Sequence, residues 1–181
     1  MKKLAIPILA VMGNKDTGKT ALIEELLKEF SRRGYKVGAV KHIPHPDFTI
    51  DTPNTDTWRY VNANAKVAAA VSPDEITIIR KIPKADASLD IVLKHINPDE
   101  VDLIIIEGFK EQSKDIAHIP KILIVKSKDE IIPPGLQINE IVIADSPQDN
   151  SKIPYFPPEE IKRIADMFES TLKKKENQGP S

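Results

Sequence analysis

Residues 13–20 read Gly-Asn-Lys-Asp-Thr-Gly-Lys-Thr, a complete G-x-x-x-x-G-K-[ST] pattern, and no other stretch limits the possible folds as much. With 7 glycines in 181 residues, a chance match has a probability of roughly 0.002 at ordinary Lys and Ser/Thr frequencies. The flanks agree with the pattern. The apolar run Ile6–Val11 reads as a buried strand, and residues 20–33 place Ile23, Leu26, Leu27 and Phe30 on one helical face. Between strand and helix, glycines let the backbone turn its N–H groups inward onto an anion, beside the positive end of the helix. Gly13, Asn14, Lys15, Asp16, Thr17, Gly18, Lys19, Thr20 and Ala21 are therefore the expected nucleotide-binding segment. Lys19 suits the β- and γ-phosphates and Thr20 suits Mg2+.

Asn14-Lys15-Asp16 looks like part of the NKxD signature that reads guanine. That signature needs Asp at position 17, where this chain has Thr17, and these residues lie inside the phosphate loop. The echo Ser127–Glu130 reads as a solvated charged turn. Sequence alone leaves GTP and ATP both open.

Beyond the loop, apolar runs alternate with stretches of helical period. This predicts an α/β fold, a P-loop NTPase-like three-layer sandwich in which a mostly parallel sheet carries helices on both faces. Gly34 stands where a helix C-cap belongs. Residues 35–40, 66–72, 75–82, 101–109, 121–126 and 140–145 read as strands. Residues 56–64 read as a short helix, and Leu89, Val92, Leu93 and Ile96 as the apolar face of another. A last helix follows Pro157-Pro158, with Ile161, Ile164, Ala165, Phe168 and Leu172 as its stripe. The organisation expected is one nucleotide-binding domain over residues 1–175 and a polar tail, 176–181.

Other observations narrow the classes. A net charge of −1 argues against a protein built to grip nucleic acid, and the absence of cysteine excludes disulfides and thiolate metal sites. The apolar start is too short to span a bilayer and leads straight into the glycine loop, so a cytoplasmic protein without a membrane segment is expected.

Mg2+ beside a phosphate loop commonly needs a carboxylate at the end of a neighbouring buried strand. Glu107, closing Asp102-Leu-Ile-Ile-Ile-Glu107, is the candidate. Asp102 starts that strand and so lies at the wrong end of the sheet, because ligands gather at carboxyl ends. Residues 41–55 form a long, proline-punctuated loop with Lys41, His42, His45, Asp47 and Asp51, and long loops in compact domains are commonly functional or mobile. His42, His45 and Asp47 are also zinc-ligand types, but three such groups on a proline-rich loop make a weak zinc pattern.

Several segments together resemble the molybdopterin-guanine dinucleotide biosynthesis protein B family, MobB. They are the phosphate loop, "VGAVKHIPHPDFTID", "DTWRYVNANA", "DLIIIEGFK" and "IPKI". Lys41-His42 with Phe48 and Asp51, joined to Glu107-Gly108-Phe109-Lys110, is the specific part. The resemblance implies a GTP-binding P-loop protein, usually a homodimer, with weak GTPase activity; in the residues themselves no arginine finger and no base for activating water stands out. It implies assistance to the MobA-type enzyme that attaches GMP to molybdopterin, giving the guanine dinucleotide form of the molybdenum or tungsten cofactor. GTP and Mg2+ are the implied cofactors, and Lys41–Asp51 an implied switch or cofactor-contacting loop. The chain departs from the family where glycines are usual. Asn14-Lys15-Asp16 stands in the phosphate loop, Asn54-Thr55-Asp56-Thr57 replaces Gly-Lys-Asp-Ser, and Ala63-Asn64-Ala65 replaces Ala-Gly-Ala. Lost glycines predict altered backbone turns. The residues also admit a small-molecule kinase or ATP-dependent ligase with His42, Asp47 or Asp51 as base. A metal-insertion GTPase using His42 and His45 is the other alternative.

Overall fold

The structure, a computed structural model, describes residues 6–83, 88–108, 119–127, 138–145 and 154–177. In chain order the elements are β1 (Ile8–Gly13), α1 (Lys19–Arg32), β2 (Val37–Lys41), α2 (Asp56–Asn62), β3 (Val67–Val71) and β4 (Ile76–Arg80). They continue with α3 (Leu89–Leu93), β5 (Leu103–Glu107), β6 (Lys121–Val125), β7 (Glu140–Ile143) and α4 (Pro158–Asn177). Packing groups the chain into two compact units, Met1–His42 with Lys94–Ser181, and Ile43–Leu93.

The first unit is a five-stranded parallel sheet in the order β2-β5-β1-β6-β7. Its central strands are continuous apolar runs because both of their faces are buried, as parallel strands require. The parallel α/β fold expected from the sequence is the one observed. After β1 the chain runs through α1 and returns as β2, leaving a gap that β5 fills. The carboxyl ends of β1, β2 and β5 are thereby brought side by side, at the edge where α/β sheets bind ligands.

Helices α1 and α4 share one face of this sheet. Leu22, Ile23, Leu26 and Phe30 of α1 meet Ile161, Ile164, Ala165 and Phe168 of α4 over Leu9, Val11, Ile105 and Ile124. Phe30 and Phe168 touch edge to face at 5.7 Å. Burial of each such side chain contributes about 1.5–3 kcal/mol, and this packing fixes the helix that follows the phosphate loop. Residues of the opposite face, Ala10, Met12, Ile104 and Ile106, are equally buried.

Gly34 ends α1 as expected, with φ +92°. Its N–H donates to Ser31 O at 3.0 Å and the Tyr35 N–H to Phe30 O at 3.1 Å, while the Phe30 and Tyr35 rings meet at 5.9 Å. That is a Schellman motif with its apolar contact.

In the second unit α2 lies beside β3, and Thr55 caps α2 by accepting from the Trp58 N–H. The pairing of these two strands, which the sequence left open, is now fixed: β3 and β4 do not join the parallel sheet but pair with each other as an antiparallel hairpin. Connection length explains it. The Ser72–Glu75 turn, closed by Ser72 N–H to Glu75 O at 2.9 Å, is far too short for the parallel crossover, which takes a dozen or more residues.

Candidate functional site

Gly13 is the last residue of β1 and has φ +155°. A Cβ there would lie 2.6 Å from Thr17 Oγ1 and 2.8 Å from the carbonyl oxygen of Ile124 on β6, so only glycine fits. Asp16 (φ +59°) and Gly18 (φ +87°) are both left-handed, and Gly18 is the N-cap of α1. Thr17 is buried, and its hydroxyl donates to Asn14 O at 2.9 Å, bracing the loop from inside. Lys19 folds back so that Nζ donates to the same carbonyl at 2.6 Å.

The electrostatics of this turn favour an anion. The first turn of α1 carries no acidic residue, and Lys19 sits there against the sense of the helix dipole. A cation at a helix N-terminus is unfavourable by itself and becomes favourable once a polyanion is held between it and the loop amides.

The strand register brings the remaining groups together. Glu107 pairs with Val11 of β1 on one side and Lys41 of β2 on the other. Thr20 Oγ1 donates to Glu107 Oε2 at 3.4 Å, and Lys41 Nζ lies 3.3 Å from that same oxygen. Neighbouring oxygens on an octahedral Mg2+, with bonds of about 2.1 Å, stand about 3 Å apart, so hydroxyl and carboxylate fit such an ion as hard oxygen donors. Gly108 follows with φ +94°, where a Cβ would lie 3.1 Å from His42 Cβ. The His42 N–H donates to Glu107 O at 2.9 Å, closing the end of β2 onto the end of β5. At the opposite edge, Asp102 accepts from the Lys36 N–H at 2.8 Å, a tie between strand beginnings.

Lys41, His42 and Glu107 thus belong to the first unit, with the loop Gly13–Ala21, whereas His45, Asp47 and Asp51 belong to the second. His45 and Asp47 are exposed, and Asp47 is left-handed at φ +61°. Asp51 braces the entry to α2: its Oδ1 accepts from Thr55 Oγ1 at 2.8 Å and from the Thr52 N–H at 2.9 Å. Burial works against its ionisation, but hydrogen bonds from Thr55, Thr57 and the Thr52 amide prevail and hold the carboxyl below its usual value. Among the described residues no group of three or more His, Asp or Glu side chains is arranged to hold a metal ion. Lys110 and most of Ser127–Glu130 lie outside the described residues.

The glycine departures have a simple outcome. Asp16, Asn54 (φ +74°) and Asn64 (φ +74°) occupy left-handed positions, the conformation that glycine adopts most readily. Asn and Asp tolerate that region better than other side chains. Asn64 even completes a second Schellman motif, donating to Val61 O at 3.0 Å while the Ala65 N–H donates to Tyr60 O at 3.0 Å. Two roles escaped the sequence reading. Thr17 as an internal brace has no signal in the motif, where its position is unspecified. Gly108 as the contact that admits His42 could have been suspected from a glycine directly after a strand-terminal acid.

Comparison with known proteins bears on the family and the fold. A protein-family model described as molybdopterin guanine dinucleotide synthesis protein B matches residues 8–144. The molybdopterin-guanine dinucleotide biosynthesis adapter protein of Haemophilus influenzae is 32% identical over 139 residues, covering 77% of this chain and 73% of its own. The putative adapter of Methanocaldococcus jannaschii is 36% identical over 122 residues, which is 67% of this chain but 48% of that protein, so the match spans about half of that relative. A crystal structure of molybdopterin-guanine biosynthesis protein B (mobB) superposes with a TM-score of 0.64 at 26% identity, over 92% of this chain and 99% of the other.

Proposed function

The chain belongs to the molybdopterin guanine dinucleotide synthesis protein B family, and from that membership and its phosphate cradle we propose that it is a GTP-binding adapter in molybdenum or tungsten cofactor biosynthesis. In this reading it assists a GMP-transferring MobA-type enzyme in attaching GMP to molybdopterin, and it contacts molybdopterin or the dinucleotide product. The observation that carries it is the convergence of Lys19, Thr20 and Glu107 at the carboxyl ends of β1 and β5.

The roles divide by chemistry. Backbone N–H groups from Gly13 to Thr20, with Lys19, hold the phosphates; Thr20 and Glu107 hold Mg2+. Mg2+ would supply neutralisation of the phosphate charge. The groups gathered here bind and neutralise, so hydrolysis is slow and the bound nucleotide acts as a state marker rather than as a fuel. Lys41, His42, His45, Asp47 and Asp51 form the segment through which that state is read.

A homodimer is part of the reading. What supports it is one face of the β3–β4 hairpin, where Val67, Val71, Ile76 and Ile78 are 43%, 76%, 68% and 63% exposed. A contiguous apolar face of this kind marks an interface. Light scattering that gives the 20.2 kDa of a single chain at micromolar concentration would overturn this part. No helix among the described residues is long and apolar enough to cross a membrane; a cytoplasmic location is part of the proposal.

The test of the whole is competition. Displacement of fluorescent mant-GTP in Mg2+ should need at least about tenfold less GTP than ATP, a difference of about 1.4 kcal/mol. In parallel, the chain should raise GMP transfer by the MobA-type enzyme. ATP competing as well as GTP, with no effect on GMP transfer, would favour the kinase or ligase reading instead.

A further inference from the structure

We infer that Lys41 is the resident counter-cation of Glu107, an ammonium that a divalent ion must displace before the carboxylate can join the nucleotide site. This rests on the reading of the cradle as an Mg2+-nucleotide site, and it assigns to Lys41 a positioning role distinct from contact with phosphate.

Register makes the pairing built-in rather than incidental. Lys41 and Glu107 are Cα partners in the β2–β5 ladder, the last residues of their strands. Neighbours on parallel strands present side chains to the same face, so the two extend together. The next residue, His42, is fixed by its N–H to Glu107 O at 2.9 Å, which holds the end of β2 in place. Lys41 is therefore delivered to Glu107 by backbone that cannot readily slide.

Both polar contacts converge on one atom. Glu107 Oε2 receives the Thr20 hydroxyl at 3.4 Å and faces Lys41 Nζ at 3.3 Å. Thr20 and Glu107 would hold a divalent ion through hard oxygen donors, and such an ion would compete for that same carboxylate oxygen. An ammonium beside the same oxygen would then stand against a second, doubly charged cation at short range, and like charges so close repel strongly. Carboxylate to ammonium and carboxylate to Mg2+ are alternatives.

Exposure decides that the exchange is reversible. The Glu107 side chain is 13% exposed, so its charge is poorly served by water and gains from a resident partner; that of Lys41 is 57% exposed and can swing into solvent. A pair with one exposed partner is weak, worth at most a few-fold in an equilibrium. It holds the carboxylate ready without locking it.

The experiment measures the free Mg2+ giving half-maximal mant-GTP binding in the full chain, for wild type, Lys41→Met, Lys41→Arg and Glu107→Gln. Lys41→Met should lower that concentration two- to fivefold, Lys41→Arg should leave it near wild type, and 0.5 M KCl should shrink the difference. In Glu107→Gln the requirement should rise, and adding Lys41→Met to it should change nothing further. An unchanged or raised Mg2+ requirement in Lys41→Met overturns the inference; a raised one makes Lys41 a phosphate contact. Wild-type binding that ignores Mg2+, or that survives Lys19→Ala, overturns the nucleotide-site reading itself and the inference with it.

Discussion

Lys19→Ala should reduce GTP affinity by at least about 100-fold while leaving the fold in place. Hydrogen bonds from an ionised donor to phosphate are worth about 1.5–3 kcal/mol each, and one ammonium can make more than one of them. A loss of about 2.7 kcal/mol is 100-fold. The effect on stability should be small, because two contributions oppose each other. Lys19 is the first residue of α1, where a positive charge opposes the helix dipole, and no acid in that turn offsets it. Its bond to Asn14 O is lost on truncation, yet the Thr17 hydroxyl still donates to that carbonyl. The melting temperature should therefore move by no more than about 2–4 °C, the equivalent of about 1 kcal/mol in a chain of this size. Calorimetric titration with GTP and a thermal scan separate the cases. Unchanged affinity would remove the nucleotide from this turn, and a collapsed melting temperature would make the lysine structural.

What could be read in the sequence was whatever rests on local chemistry and period. The phosphate loop was legible because its residue types at fixed offsets do one job wherever a strand feeds a helix. The buried strands were legible because Leu103–Ile106 and Lys121–Val125 are near-continuous apolar runs. Glu107 was legible as the acid at the right end of such a run. The placement of β3 and β4 was not, because propensity shows that Val67–Val71 and Ile76–Arg80 are strands but not which partner they take. The short turn between them was the available clue. The backbone at the lost glycines was not legible either: residue type alone does not show that Asn64 and Asn54 take left-handed positions. The meeting of Lys41 with Glu107 is a register effect across 66 residues of chain, which no linear pattern encodes.

Gly13→Ala should be the most damaging Gly→Ala change among the described residues, and Gly34→Ala measures why. Both glycines have positive φ, +155° and +92°, so an L side chain is strained at either. Strain of that kind costs about 1–3 kcal/mol. At Gly34 a Cβ meets nothing within 4 Å, so strain is the whole effect. At Gly13 the added carbon would lie 2.8 Å from the Ile124 carbonyl oxygen and 2.6 Å from Thr17 Oγ1. Gly13 and Ile124 are register partners in the β1–β6 ladder, so the obstacle is backbone in a central strand and cannot turn aside. Overpacking adds about 1–3 kcal/mol to the strain, against a total stability of about 5–15 kcal/mol for a typical domain. Gly13→Ala should thus lower the melting temperature by about 5–20 °C and displace Thr17 from Asn14, which opens the loop and weakens GTP binding by at least tenfold. Gly34→Ala, remote from the cradle, should bind GTP normally after a smaller thermal loss. Equal losses in the two variants would show that backbone strain alone governs Gly13 and that the β6 carbonyl yields; the tightness of the cradle would then have another cause.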